Sequence, residues 1–247
     1  SINSSNIAST NWYMNGSAFS NQPQSNFVFS DYGDYNISFK ATADNGCSAE
    51  DSSEINIYSA PVISFTYDTV CVSSSTQFYN NTFTTRNETV SNWEWDMQSD
   101  GLVDKTSSNP TFVFPQGDTF LTTLTASNAY GCIGSAQKAV IVRPKPNTNF
   151  QVSENEFCEK TAVTFYNHSS PSDSFVWTFG DGTSSQRTDT NSFAHAYQNP
   201  GTMGVKLTAY NGFGCNDHEI KTLTVRPRPT AVFQSPEYSS CVPFSVS

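Results

Sequence analysis

Six cysteines and three histidines are the residues of this 247-residue chain best suited to chemistry. The cysteines fall into two sets. Cys47, Cys132 and Cys215 each follow a glycine, in Asn45-Gly46-Cys47, Tyr130-Gly131-Cys132 and Phe213-Gly214-Cys215. Cys71, Cys158 and Cys241 form the other set. Thiolates can ligate a metal, but no C-x-x-C pair occurs and His168, His195 and His218 stand in unrelated contexts, which speaks against zinc. The same histidines offer no evident triad with a nucleophile and an acid. No G-x-S-x-G, H-E-x-x-H or phosphate-cradling glycine loop is present. The chain therefore reads as no enzyme. Disulfides are the expected cysteine chemistry, with buried free thiols as the alternative.

Asp96, Asp100-Gly101 and Asp104 place three carboxylates around one turn. Calcium takes six to eight hard oxygens, so this turn is the one candidate metal site. The spacing is not that of an EF-hand, and the third repeat offers no equivalent beyond Asp181 and Asp189. A solvated acidic turn is the plainer reading, and no other cofactor is expected. Asn15, Asn36, Asn80, Asn87 and Asn167 open Asn-x-Ser/Thr sequons, which are glycan acceptors in a host with the enzyme. Tyr13, Tyr58 and Tyr238 are aromatics that could stack on sugars, or pack at strand edges.

Composition narrows the class. The net charge is −10 and only 14% of residues are charged. An acidic chain repels phosphate backbones, so nucleic acid is not an expected partner. Basic residues gather in Val142-Arg143-Pro144-Lys145-Pro146 and Val225-Arg226-Pro227-Arg228-Pro229. These read as extended linkers kept soluble by Pro and charge; a basic girdle against acidic neighbouring domains is the sharper alternative. There is no apolar run of ~18 residues, so no direct membrane insertion is expected from this segment. No signal peptide appears. The chain reads as a piece of something longer, beginning and ending inside repeats.

Those repeats are the main organisation. Cys47, Cys132 and Cys215 are 85 and 83 residues apart, Trp12, Trp95 and Trp177 are 83 and 82, and Gly33, Gly117 and Gly201 are 84 and 84. Phe65, Phe150 and Phe233, and Cys71, Cys158 and Cys241, keep the same period. The units are a partial repeat at 1–60, two full repeats at 61–145 and 146–228, and the start of a further one at 229–247. In the third repeat the alternation predicts strands A to G near 148–153, 161–168, 174–180, 184–188, 192–198, 203–211 and 217–226. Seven short strands in ~80 residues with frequent turn signals predict an all-β chain of tandem immunoglobulin-like β-sandwiches, arranged as an extended rod. The first repeat begins at strand C, which carries Trp12, so its core is expected to be incomplete.

The third repeat carries Trp177-Thr178-Phe179-Gly180-Asp181-Gly182, then His195-Ala196-Tyr197, then Pro200-Gly201 and the strand with Val205, Leu207 and Asn211. This resembles the PKD domain (named for polycystic kidney disease), an Ig-like module with the pattern W-D-F-G-D-G, H-x-Y, P-G-x-Y-x-V-x-L-x-x-x-N. Thr178 and Met203 depart from it. The second repeat departs more, with Trp95-Asp96-Met97-Gln98-Ser99-Asp100-Gly101 for the first motif and Val113-Phe114 in place of H-x-Y. The first keeps Trp12, Phe29, Gly33 and the Ile37/Phe39 strand. The resemblance implies that Trp177 fixes a core, that Gly180-Asp181-Gly182 is a turn, and that His195 packs near it. The added cysteines resemble those of giant surface proteins of Bacteroidota, including gliding-motility adhesins exported by type IX secretion. Asp68-Thr69-Val70 looks like the O-glycosylation sequon of that group, with the glycan on Thr69.

Sandwich geometry prunes the cysteine pairings. One set, read as lying in the A–B loop, falls at the C-terminal pole of its domain, and the set after strand F at the N-terminal pole. Strands of ~7 residues at ~3.3 Å each separate the poles by roughly 20 Å, while a disulfide needs Cα atoms within ~7 Å. A head-to-tail array instead predicts a staple, Cys71 to Cys215, with the partners of Cys47, Cys132, Cys158 and Cys241 in repeats outside the chain. The functional expectation is a non-catalytic stalk or adhesive rod of a large bacterial cell-surface protein or filament. Its partners would be neighbouring repeats, other surface proteins, like chains or polysaccharide. The alternatives are accessory PKD modules of a secreted polysaccharide- or protein-degrading enzyme, and a eukaryotic receptor ectodomain.

Overall fold

Apolar and polar residues alternate through the chain, with aromatic and β-branched side chains at the inward positions, a pattern that suits a pleated, half-buried surface. Residues 6–233 are described by the computed structural model, and every regular element among them is a β-strand. The chain divides into two compact units, Ser1–Val142 and Arg143–Ser247.

The first unit opens with β1 (Ile7–Met14), β2 (Ser17–Ser20), β3 (Gly33–Ala43) and β4 (Ser48–Ile57). They form one antiparallel sheet in the order β2-β1-β3-β4. Trp12 of β1 lies opposite Phe39 of β3, with ring centroids 4.6 Å apart. No second sheet faces this one among the described residues, and Phe27 and Val28 stay 41% and 88% exposed.

The second repeat follows with β5 (Phe65–Tyr67), β6 (Val70–Cys71), β7 (Thr76–Asn80), β8 (Val90–Asp96), β9 (Thr111–Phe112), β10 (Thr119–Asn128) and β11 (Ile133–Arg143). Two sheets, β6-β11-β10-β8 and β5-β7-β9, enclose a core. Its centre is Trp95, fully buried, with Phe65 at 5.1 Å and Phe78 at 5.3 Å between ring centroids.

The second unit holds β12 (Phe150–Val152), β13 (Glu156–Cys158), β14 (Ala162–Asn167), β15 (Ser174–Thr178), β16 (Ser184–Arg187), β17 (Phe193–Ala196), β18 (Gly201–Tyr210) and β19 (Asn216–Arg226). A sheet β13-β19-β18-β15-β16 packs on a sheet β12-β14-β17, an immunoglobulin-like sandwich. Trp177 is fully buried between them, with Phe150, Phe165 and Phe193 within 5.5 Å between ring centroids. The segment read as a weak C′ or D strand is C′, because β16 pairs with β15.

Two placements differ from the sequence reading. Cys71 and Cys158 lie on short strands and not in an A–B loop. β13 pairs parallel to β19, setting Cys158 beside Arg226, and β6 takes the matching place beside β11. The chain thus switches sheets between its first and second strand, and the cysteine rides on the switched piece.

Gly180, just past the end of β15, passes close to Gly204 of β18. Its φ is +85°, and a Cβ there would lie 2.7 Å from the backbone nitrogen of Gly204 on β18. Gly182 has a φ of +88° but open space around it. An alanine at a left-handed position costs about 1–2 kcal/mol. Gly182→Ala is therefore expected to lose about that much in urea unfolding of the whole chain, and Gly180→Ala at least about 1 kcal/mol more from forced backbone displacement. Equal losses would contradict the close approach.

Candidate functional site

The residues that looked most like a site in the sequence tie the two sheets of the third repeat together. Asp181 leaves the end of β15 in the Gly-Asp-Gly turn, and its Oδ1 accepts from the Thr183 hydroxyl at 2.6 Å and amide at 2.9 Å. His195 reaches across from β17 and places Nε2 2.8 Å from Asp181 Oδ2. The imidazole stacks on Phe179 at 4.1 Å and meets Tyr197 edge-on at 4.7 Å. The Tyr197 hydroxyl donates to the Phe179 carbonyl at 3.2 Å. Pro200 and Gly201 turn the chain into β18. The cluster ties the turn after β15 to β17 of the facing sheet.

Burial opposes charge on Asp181, but the hydrogen bonds from Thr183 and His195 outweigh it and hold the carboxyl below its usual value. Burial, then the nearby Asp181 charge, push the Tyr197 phenol well above its usual value. A carboxyl depressed in the folded state stabilises fully above its unfolded value, ~3.9, and that stability is lost as pH falls through the folded value.

A second arrangement recurs and joins each complete repeat to the linker that enters it. In the second repeat Asn128 is 2% exposed, and its Nδ2 donates to the Ser59 carbonyl at 2.9 Å. Its Oδ1 accepts from the amides of Tyr130 and Cys132, both at 3.0 Å. Tyr130 stacks flat on Tyr58, with centroids 3.4 Å apart, and Cys132 Sγ lies 3.7 Å from the Tyr58 carbonyl. The third repeat repeats this. Asn211 Nδ2 donates to the Pro144 carbonyl at 2.9 Å, and Oδ1 accepts from Phe213 at 3.2 Å and Cys215 at 3.1 Å. Arg143 lies over the Phe213 ring at 5.2 Å and donates to its carbonyl at 3.2 Å. The turn Asn-x-aromatic-Gly-Cys is thus a clasp on the incoming linker. It also explains why Arg143 and Pro144 group with the following repeat.

The first repeat keeps the turn but not the clasp. Ala43 N still bonds to the Cys47 carbonyl at 2.8 Å, yet Ala43 and Asn45 stand where the clasping Asn and aromatic would be. The joint between the first two repeats has further bonds. Arg86 pairs with Asp34 at 2.5 Å and donates to the Ile57 carbonyl at 3.1 Å. Glu88 accepts from the Ser59 amide and hydroxyl, each at 3.3 Å. Burial works against charge on Glu88, and backbone bonds, that from Ser59 among them, override it and lower its pKa.

Cys71 and Cys215 are disulfide-bonded. Cys47 and Cys158 are exposed and free, and Cys132 is free and partly exposed. Cys241 lies outside the described residues. Cys158 sits at the Arg226 end of β19 and Cys215 just before its Asn216 end, so the 11 residues of that strand separate them by roughly 30 Å. A bond within the repeat is excluded by that distance.

Asp96, Asp100 and Asp104 turn onto backbone rather than toward a common point. Asp104 accepts from the Met97 amide at 2.7 Å, Asp96 from Gly101 at 2.9 Å and Asp100 from Leu102 at 2.9 Å. Among the described residues no three His, Cys, Asp or Glu side chains are grouped to hold a metal. Of the sequon asparagines, Asn15, Asn36 and Asn87 are exposed and Asn80 is half-buried. Asn167 is 8% exposed and its Oδ1 accepts from Ser169 at 3.0 Å, so the folded chain has no room for a glycan there. Thr69 is exposed. Tyr58 is covered by Tyr130, and Tyr238 lies outside the described residues. No helix among the described residues is long and apolar enough to cross a membrane.

Residues 143–226 match the PKD domain family. Similar solved structures include the PKD1 domain of Vibrio anguillarum Epp, at 17% identity over 35% of this chain and 98% of that one, with a TM-score of 0.32. The PKD1 domain of the Vibrio cholerae metalloprotease PrtV is 21% identical over 34% of this chain and 98% of that one, with a TM-score of 0.30. The I67–I69 fragment of titin is 12% identical over 89% of this chain and 88% of that one, with a TM-score of 0.43. No curated protein sequence matches the chain.

The acid limb of stability tests the Asp181 cluster. Asp181→Asn is expected to lower the urea midpoint at pH 7, and to lose less than the wild type does between pH 7 and pH 3. Parallel acid limbs would show that Asp181 carries no such role.

Proposed function

We propose that the chain is a stretch of a stalk: a non-catalytic, extracellular segment of a large bacterial cell-surface protein, exported by type IX secretion and used in adhesion or gliding. The observation that carries this reading is the clasp, which grips two successive linkers at one register. A linker held at its carbonyl and ringed by an aromatic bends less than a free Pro-rich linker. Tandem sandwiches with their own cores can be added without redesign. The net charge of −10 keeps such rods soluble and mutually repelling.

The disulfide-bonded state of Cys71 and Cys215 supports an oxidising, extracellular compartment. The reading includes a staple between these two cysteines, with Cys132 and Cys158 serving adjoining repeats. Neighbouring repeats are then the chief partners, with like chains, other surface proteins or polysaccharide engaged by the array. No cofactor or nucleic acid takes part.

Two measurements test this. Non-reducing proteolysis and mass spectrometry are expected to recover the Cys71 peptide joined to the Cys215 peptide; Cys71 joined to any other cysteine would overturn the staple. Determining the full reading frame is expected to show further repeats and a C-terminal type IX signal. A protease or glycosidase domain beside this segment would replace the stalk with an accessory-module role, and a transmembrane region would point to a receptor.

A further inference from the structure

The first repeat is open on one face and along one edge, and both openings lack the same piece. In the second and third repeats Phe65 and Phe150 of the first strand meet the core tryptophan edge-on, each at 5.1 Å between ring centroids. Among the described residues, the only ring that Trp12 meets is Phe39 of its own sheet. Strands β6 and β13 flank β11 and β19 on their outer side, and among the described residues no strand flanks β4. Ile55 shows the consequence. It stands eight residues after the turn cysteine, as Val140 and Leu223 do, and is 37% exposed where they are fully buried.

The chain carries that piece a second time. Residues 229–241 read Pro-Thr-Ala-Val-Phe-Gln-Ser-Pro-Glu-Tyr-Ser-Ser-Cys, with Phe233 and Cys241 at the places of Phe65 and Cys71 and of Phe150 and Cys158. Phe65 and Phe150 are buried in their own repeats, but Phe233 is 90% exposed. Of the three, it alone is available to a second molecule. A thiol marks the register. Tyr58, Arg143 and Arg226 each follow their turn cysteine by 11 residues, and Cys158 of β13 lies beside Arg226. A strand laid along β4 in the same register ends with its cysteine beside Tyr58. Cys132 Sγ waits there, 3.7 Å from the Tyr58 carbonyl, as Cys215 Sγ lies 4.0 Å from the Arg143 carbonyl. Cys215 is disulfide-bonded and Cys132 is free.

We propose that residues 229–241 of a second copy of the chain dock on the first repeat. The partner's Phe233 covers Trp12, the strand ending at the partner's Cys241 runs parallel to β4, and the partner's Cys241 bonds to Cys132. This goes beyond the stalk reading, because it joins separate chains. Each chain holds one such segment and one such opening, so the contact is head-to-tail, the arrangement that builds filaments. Backbone pairing along β4 is strand addition, and the two rings supply the apolar contact. Charge agrees. The partner's Arg228 leads into the segment, and Asp44, Glu50 and Asp51 are exposed around the start of β4. The bond forms by exchange with a small-molecule disulfide such as oxidised glutathione. The Cys132 thiolate attacks one of its sulfurs and releases one glutathione thiolate. The partner's Cys241 thiolate then attacks the mixed disulfide at the Cys132 sulfur and releases the second. The two protons lost by the protein thiols are taken up by the two released glutathiones.

The test mixes unlabelled and ¹⁵N-labelled whole chain in glutathione buffer and maps the disulfides without reduction. A Cys132–Cys241 peptide pair with one half labelled and the other not is expected. Under reducing conditions, sedimentation is expected to show a mass that rises with chain concentration. Phe233→Ala is expected to weaken that association about tenfold or more. Because Phe233 is exposed in the single chain, this variant keeps the thermal midpoint and near-UV spectrum of the wild type. Cys132→Ser is expected to retain the association and lose the covalent pair. A monomer mass at every concentration, or equal association of Phe233→Ala and wild type, would overturn the proposal. So would Cys132–Cys241 pairs found only within one isotope population, which place the segment on its own chain. A Cys71–Cys215 pair in the same map with no mixed Cys132–Cys241 pair would contradict this inference alone and leave the stalk reading standing.

Discussion

Trp177 is completely buried between the two sheets of its repeat, and Trp95 is equally buried in the repeat before. The rest of each sandwich is arranged around that ring. Phenylalanines of the opposite sheet meet it at an angle, the geometry that aromatic pairs prefer, and a ring this size dominates the core it enters. Because the tryptophan is fixed, the residues two positions on and the turn after them are fixed too. Phe179 follows Trp177 inward, Gly180 crosses Gly204 at backbone contact, and Asp181 is delivered to His195. The first repeat shows what the ring does with one sheet alone. Trp12 stays partly exposed and donates from its indole to the Gln22 carbonyl at 3.1 Å.

The same register that centres the cores also brings the turn after strand F to the linker. A single asparagine does two things there. Its carbonyl oxygen closes its own turn, and its amide nitrogen reaches the previous linker. The aromatic beside it covers whichever residue the linker presents, Tyr58 in one case and Arg143 in the other. Stacking suits both, since a guanidinium is also planar and lies well on a ring. One side chain thus serves both the turn of its own repeat and the attachment of the linker.

Much of this was legible in the sequence because period and alternation are local signals. The strands of the third repeat fell within a few residues of their places, and the all-β, immunoglobulin-like reading holds. Strand β13 was not legible: three residues between two turns carry no periodicity, and its partner is at the far end of the repeat. The clasp was visible only as a spacing marker. Asn211 and Pro144 are 67 residues apart, and nothing in either neighbourhood names the other. Gly180 was legible as a turn glycine, but its need to admit Gly204 follows only once β15 and β18 are side by side. The Asp96 turn reads in the sequence as a solvated acidic turn with calcium as the weaker candidate; that its carboxylates accept from the amides of Met97, Gly101 and Leu102 follows only from the fold of the turn, where Ser99 and Gly101 have positive φ. Asn167 is a sequon by pattern alone, and its burial at the end of β14 is not written in that pattern.

The central claim is that the linkers are held by the repeats that follow them. Backbone ¹⁵N relaxation of the intact chain measures this directly. The account predicts order parameters of about 0.85 for the amides of Tyr58, Ser59 and Arg143, equal to those of the flanking strands. Values below about 0.6, typical of a flexible segment, would contradict it.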